Sequence, residues 1–141
     1  MWVITHTLSG MALGALLYPL SLWLIVPAAL LLHLILDLVP HWDYTRKPNR
    51  TRWASADVAV SVAALVLARG VAGIEWAVVI AGVVSALPDL DVLDTLWSGR
   101  RRPRVFPSHW RGFPHGSATP VPGIAVQIVV WVVSVAVLRV T

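Results

Sequence analysis

From Leu20 to Leu36 the chain carries no charged residue, and His33 is the only ionisable side chain in the run. A stretch this apolar must be taken out of water, and its length suits a bilayer. It closes on four potential metal ligands, in His33-Leu-Ile-Leu-Asp37-Leu-Val-Pro40-His41-Trp-Asp43. His33 and Asp37 stand at i and i+4, so a helix stacks them on one face. Pro40 then loosens the helix, and His41 and Asp43 follow where the backbone can turn back. Ionisable groups at the end of such a run are costly unless they are paired or bind something. The stretch reads as half of a metal site at the end of a membrane helix, with the other half supplied by the rest of the chain.

Composition supports the membrane reading. The 141 residues suit a single membrane-embedded domain over 1–141. The chain is 57% hydrophobic and 13% charged, against roughly 25% charged in soluble domains. Mean hydropathy is +0.75. The absence of Cys excludes disulfides, thiolate zinc sites and Cys nucleophiles. Net charge is +4, but Lys and Arg sit in two short loops, which fits cytoplasmic loops better than a nucleic-acid-binding face. No nucleic-acid partner is expected. The start of the chain lacks a basic n-region and a cleavage site, so a removable signal peptide is not expected either.

The pattern predicts an all-α integral membrane bundle of about five transmembrane helices, over about 2–18, 20–39, 54–68, 74–87 and 121–138. Gly10 and Gly14 form G-x-x-x-G, either a close helix contact or simple tolerance of glycine in membrane helices. Ser55 reads as the N-cap of the third segment. Asp57 falls in its first turn, where a carboxylate favours the helix dipole or joins the site. The fourth segment ends in Leu87-Pro88-Asp89-Leu90-Asp91, with Asp94 read as a loop carboxylate. A second basic loop follows, with Arg100, Arg101, Arg102, Arg104 and Arg111 around Ser108-His109 and His115.

Charge fixes an expected orientation. Arg46, Lys47, Arg50 and Arg52 follow the second segment, and the Arg-rich loop follows the fourth; only Arg69 and Arg139 lie at the other side. The positive-inside rule puts the N-terminus and both basic loops in the cytoplasm of a multi-pass inner (plasma) membrane protein. That topology, assigned from Lys and Arg alone, gathers every His and every Asp on one side, which argues for one shared polar site. Val39-Pro-His-Trp-Asp43 and Leu87-Pro-Asp-Leu-Asp91 also share the pattern apolar-Pro-x-x-Asp. Two parallel hairpin repeats plus a C-terminal helix would explain the match.

Imidazole and carboxylate without thiolate suit Zn²⁺ first, with Mn²⁺ or Fe²⁺ as alternatives, and there are ligands enough for one or two ions. His33, Asp37, His41, Asp43, Asp89 and Asp91 are the candidate ligands. His6, His109 and His115 are ligands or proton-transfer groups. Arg111 and the Arg100–Arg104 cluster could hold an anion. No G-x-S-x-G element and no phosphate-cradling glycine loop is present, leaving metal-activated water as the candidate nucleophile. Plainer readings stand beside these. His33 and Asp37 could form a satisfied pair bridging helices, and Asp89 and Asp91 could cap a turn. The Arg cluster could simply touch anionic headgroups, and the eight Trp read as interface anchors.

Thr5-His6, His33-x-x-x-Asp37-x-x-Pro-His41-x-Asp43, Leu-Pro-Asp89-Leu-Asp91 and the pair His109…His115 together resemble the small inner-membrane proteins known as membrane-bound metal-dependent hydrolases, the YdjM-like group. The resemblance runs from residue 5 to about 117. It implies a hydrolase with a divalent metal, without naming a substrate. The family's late motif is similar to His-Arg-Gly-x-Thr-His; here His109-Trp-Arg-Gly-Phe-Pro-His115 is one residue longer and has Pro in place of Thr. The stretch from His33 to His41 is also similar to a helical zinc motif of zinc-dependent phospholipases C, which implies phosphoester chemistry. The expectation is a membrane-embedded hydrolase acting on a phosphoester of a lipid or amphiphile, with membrane lipids as partners and a homo-oligomer as one way to seal the site. The alternative is a metal-ion or proton-coupled transporter or binding protein, which predicts ligands spread through membrane depth.

Overall fold

The most buried helix of the fold is the first one. In the computed structural model, which describes residues 1–100 and 103–141, α1 (Val3–Leu17) packs on α2 (Leu22–Leu38), α3 (Arg50–Gly70), α4 (Trp76–Ala86) and α6 (Pro120–Val140), most extensively on α4. A short α5 (Leu90–Ser98) follows α4 through a 3-10 turn at Leu87–Asp89, and a second 3-10 turn covers Pro107–His109. No strand occurs among the described residues.

Glycine sets the α1–α4 contact. A Cβ on Gly10 would lie 2.5 Å from Ser85 Cβ, and one on Gly14 would lie 2.7 Å from Ala81 Cβ. From the other side, a Cβ on Gly82 would meet Met11 Cγ at 2.5 Å. The two backbones approach to a distance that only glycine permits, so the G-x-x-x-G spacing is a packing device here.

Burial is inverted relative to a soluble domain. Thr5, His6, His33, Asp37, Ser85 and Gln127 are all fully buried. Trp23 (89% exposed), Val66 (63%) and Val132 (64%) face outward with many other large apolar side chains. Apolar outside and polar inside is the arrangement hydrocarbon solvent imposes. Three helical stretches are long and apolar enough to cross a membrane: Arg50–Gly70, Trp76–Ser98 and Pro120–Val140. The 15-residue α1 and the 17-residue α2 are shorter; at about 1.5 Å per residue they fall short of the ~30 Å hydrocarbon core.

Several sequence expectations need correction. The fourth segment does not end at residue 87. Pro88 sits at the start of a 3-10 turn, where its missing N–H is not needed, so helical backbone continues from Trp76 to Ser98. Asp94 is accordingly half-buried on α5, not in a loop. The third helix starts at Arg50 with Asn49 as N-cap. Ser55 therefore lies inside it, accepting a bond from the Trp97 indole at 3.2 Å. Asp57 is likewise beyond the first turn. The two apolar-Pro-x-x-Asp motifs adopt different backbones: after Val39 the chain leaves α2 in extended conformation, whereas after Leu87 it stays helical. The shared sequence pattern thus does not produce a structural repeat at those positions.

Candidate metal centre

Asp37 is the hub of the polar interior. Its position near the end of α2 points it at the N-terminal half of α1 and at the segment around His109. Ser108 Oγ donates to its Oδ2 at 2.6 Å, and Gly116 N–H donates to its backbone carbonyl at 2.7 Å. Its Oδ2 also lies 3.1 Å from His33 Nε2, 3.4 Å from His109 Nε2 and 4.0 Å from His115 Nδ1. Its Oδ1 lies 3.3 Å from His6 Nε2 and 3.0 Å from the Met1 nitrogen. The late loop reaches the site because it is bonded onto the end of α2: Ala118 N–H donates to the His41 carbonyl at 2.9 Å. Gly116 is required there, since a Cβ would run into the Val39 carbonyl.

Backbone and carboxylate acceptors fix the imidazole tautomers. His33 Nδ1 is 2.7 Å from the Ser85 carbonyl, and His41 Nδ1 is 2.8 Å from the Val39 carbonyl. A carbonyl only accepts, so each Nδ1 carries the hydrogen and each Nε2 presents a lone pair. His109 Nδ1 donates to Asp91 Oδ1 at 2.8 Å, leaving its Nε2 toward Asp37 and, at 3.6 Å, Asp89 Oδ1. An imidazole held at one nitrogen so that the other is free is how proteins prepare histidine for a metal.

Two of those prepared atoms are without partners, beside both nitrogens of His6; Trp2 Nε1 and Ser85 Oγ are also buried without one. His33 Nε2, His41 Nε2, both nitrogens of His6 and Asp89 Oδ2 are buried with no hydrogen-bond partner among the described residues. His33 and His6 come close to Asp37, but not in hydrogen-bond alignment. Each unmet buried polar atom costs about 1–3 kcal/mol, so a cluster of them in one place suits a bound cation. Three sets of donors come together: His6 with His33 and Asp89, His33 with Asp37 and His109, and Asp37 with His41 and His115. Within each, the donor atoms lie within 4.8 Å of one another. Ligands of one tetrahedral zinc, each about 2.1 Å from the ion, stand about 3.4 Å apart, a separation these donors reach with small side-chain shifts. The residues present therefore fit a divalent cation. Two of the sets share Asp37, whose two oxygens could serve neighbouring ions, whereas His33 has one free lone pair and can serve only one of the two sets that include it. His6 and His33 stack at 3.8 Å between ring centroids.

Two proposed ligands stand elsewhere. Asp91 accepts the His109 hydrogen on Oδ1 and the Val105 and Phe106 amides on Oδ2, at 2.8 and 3.2 Å, so both its oxygens are engaged and it orients the His109 ring. Asp43 Oδ1 accepts from the Thr45 amide at 2.8 Å and from the Thr45 hydroxyl, and it joins none of the donor sets among the described residues. Asp57 caps α1: its oxygens accept from Val3 N–H at 2.7 Å, Ile4 N–H at 2.9 Å and Tyr44 Oη at 2.8 Å. Arg104 is bonded to the Asp91 carbonyl and lies 3.5 Å from its carboxylate. Arg111 and Arg100 are exposed. Arg101 and Arg102 of the expected anion-binding cluster lie outside the described residues. Sequence reasoning missed Ser108, the Ser85 carbonyl and the Phe106 ring edge-on to His33 at 5.1 Å. Only Ser108, adjacent to His109, carried any signal.

The loop groups titrate as their surroundings dictate. Burial lowers His41 to about 4, and burial also lowers His115. Burial works against a charge on His109, but the bond to Asp37 and the carboxylates of Asp89 and Asp91 outweigh it and raise its pKa. Burial would raise Asp43, yet the bonds from Thr45 bring it below its ordinary value. Burial, followed by the Asp57 carboxylate, raises Tyr44.

No family model, curated protein or solved structure matches this chain, so its own residues and their geometry carry the functional reading.

Proposed function

We propose that this chain is a membrane-embedded, metal-dependent hydrolase that cleaves a phosphoester of a lipid or amphiphile. Supporting it most directly are the buried, unpartnered nitrogens of His6, His33 and His41 and the unpartnered Asp89 oxygen, gathered around Asp37. His6, His33, Asp37, Asp89 and His41 would hold one or two divalent cations, with zinc favoured by the imidazole content. Such a cation supplies Lewis acidity and lowers the pKa of water. His109 and His115 border an open cleft of about 490 Å³, the side from which a substrate would arrive. There His109 Nε2 can take or return a proton, while Asp91 holds its ring from behind through Nδ1. Ser108 fixes the Asp37 carboxylate.

The resemblance to the YdjM-like membrane hydrolases favours the same reading, and the basic loops favour a site at the cytoplasmic face of the inner membrane. The second reading is a metal-ion or proton-coupled transporter or binder. It is disfavoured because the donors collect at one end of the bundle, where α2 stops and α4 passes into α5, instead of along its depth. The deciding experiment is turnover by the metal-loaded, detergent-purified protein on short-chain phospholipids and on a generic phosphodiester. Hydrolysis that disappears in His33→Ala supports the hydrolase. Stoichiometric metal with no turnover on either substrate supports the binder.

A further inference from the structure

The cleft beside the candidate centre brings Arg46, Arg50 and Arg104 into one space with Ser108, His109 and His115. Asp43 also lines it, with an oxygen engaged by Thr45. Arg104 is occupied by Asp91. Arg46 and Arg50 are exposed, and neither is engaged by a carboxylate among the described residues. They come from one short segment, the turn before α3 and the first residue of that helix, held together by the bonds from Lys47 N–H to the Tyr44 carbonyl and from Arg50 N–H to the Lys47 carbonyl. Arg50 also stands at the start of a 21-residue helix whose N-cap residue, Asn49, makes no side-chain cap bond, adding partial positive charge there.

We propose that Arg46 and Arg50 form the recognition subsite for a phosphate-bearing anion, holding that group in the cleft while the bond to be cleaved lies at His109 and His115. The proposal rests on the hydrolase reading for its purpose but not for its test. Guanidinium groups match phosphate oxygens in a fork that lysine cannot reproduce. Two of them facing one open space suit an anionic phosphate better than a zwitterionic headgroup. Beside the cleft, Leu87, Leu90, Val105 and Phe106 line an apolar groove that includes Asp91, a path for the tail of an amphiphile. These arginines were read in the sequence only as topology signals, because nothing in their spacing shows that they face His109.

The test is binding by the metal-loaded protein in detergent, with soluble dioctanoyl phosphatidic acid and inorganic phosphate as separate probes. The variants are R46A/R50A, R46K/R50K and, at the opposite end of the bundle, R139A. Elution volume, helix content and metal content establish that each variant is intact. R46A/R50A is expected to weaken binding by about ten-fold or more, a loss of ~1.4 kcal/mol. R46K/R50K should lie between it and the wild type, and R139A should bind normally. Tighter binding of the lipid than of inorganic phosphate identifies a headgroup; equal binding identifies a soluble phosphate compound. Unchanged affinity in R46A/R50A, or an equal loss in R139A, overturns the subsite. Loss of binding in R46A/R50A with no hydrolysis by the wild type retains the subsite and removes the hydrolase.

Discussion

At the scale of single residues, Asp57 shows how one carboxylate can be mistaken for another. It lies on the same side of the sequence topology as the candidate donors, and a buried Asp invites a metal. Its oxygens are instead spent on the first two amides of α1 and on Tyr44, groups a helix start leaves unsatisfied. Replacing Asp57 with Ala strands all three, and we expect a loss of about 3 kcal/mol, read as a lowered unfolding temperature in detergent. Asp57→Asn should lose less. His41 gives a second residue-level test. Burial lowers its folded pKa from 6.5 to about 4, so the fold favours the neutral ring. The stability this provides is complete above pH 6.5 and is lost as pH falls from 6.5 toward 4. Chelator-treated protein should therefore unfold at a lower temperature at pH 5 than at pH 7.5, and His41→Asn should narrow that gap. An equal gap in the variant would show that His41 is not the group responsible.

The candidate donors that the sequence singled out and the structure brings together are those whose type and spacing speak together: His33 with Asp37, His41 after Pro40, and Asp89 after Pro88. Asp91 and Asp43 looked equivalent to them. The difference lies in which amides each carboxylate meets in space, Val105 and Phe106 for Asp91 and Thr45 for Asp43. For Asp91 those amides are distant in sequence, so no local pattern announces them.

At the scale of elements, the helices were readable because apolar runs and charged loops alternate. Their ends were less so. Pro88 looked like a terminator, and in this turn it is not, because helical backbone tolerates proline wherever no N–H is needed. The contact that matters most is α1 on α4, since it brings His6 beside Asp89, in the turn after α4, and near Ser85, whose carbonyl holds His33 of α2. Gly10→Val would drive a side chain into Ser85 and the Ala81 carbonyl. We expect it to cost about 3 kcal/mol or more and to lower bound metal per protein, measured on the fraction that remains folded. The other organising tie is Gln127 on α6. Its Oε1 accepts from Trp2 N–H at 2.9 Å and Thr5 Oγ at 3.1 Å, and its Nε2 donates to the Trp42 carbonyl at 2.9 Å. It thereby ties α1 to the loop that carries His41. Gln127→Leu should destabilise by about 1–3 kcal/mol by stranding those groups. A neutral result would mean that other groups replace the bonds.

At the scale of the whole molecule, the chain is a bundle turned inside out, with imidazoles and carboxylates buried between its helices at one end and Val, Leu and Trp on its surface. Long-range hydrogen bonds from Asp57, Gln127 and Ser108 close that end, which suits a medium where each unmet polar group is expensive. Everything proposed about activity depends on whether the gathered nitrogens and oxygens hold a cation. Elemental analysis of the detergent-purified protein, wild type beside His33→Ala and Asp89→Ala, tests this most directly. The account predicts one or two equivalents of a divalent metal in the wild type and a clear loss in both variants. Metal absent from the wild type, or retained in full by both variants, would contradict it.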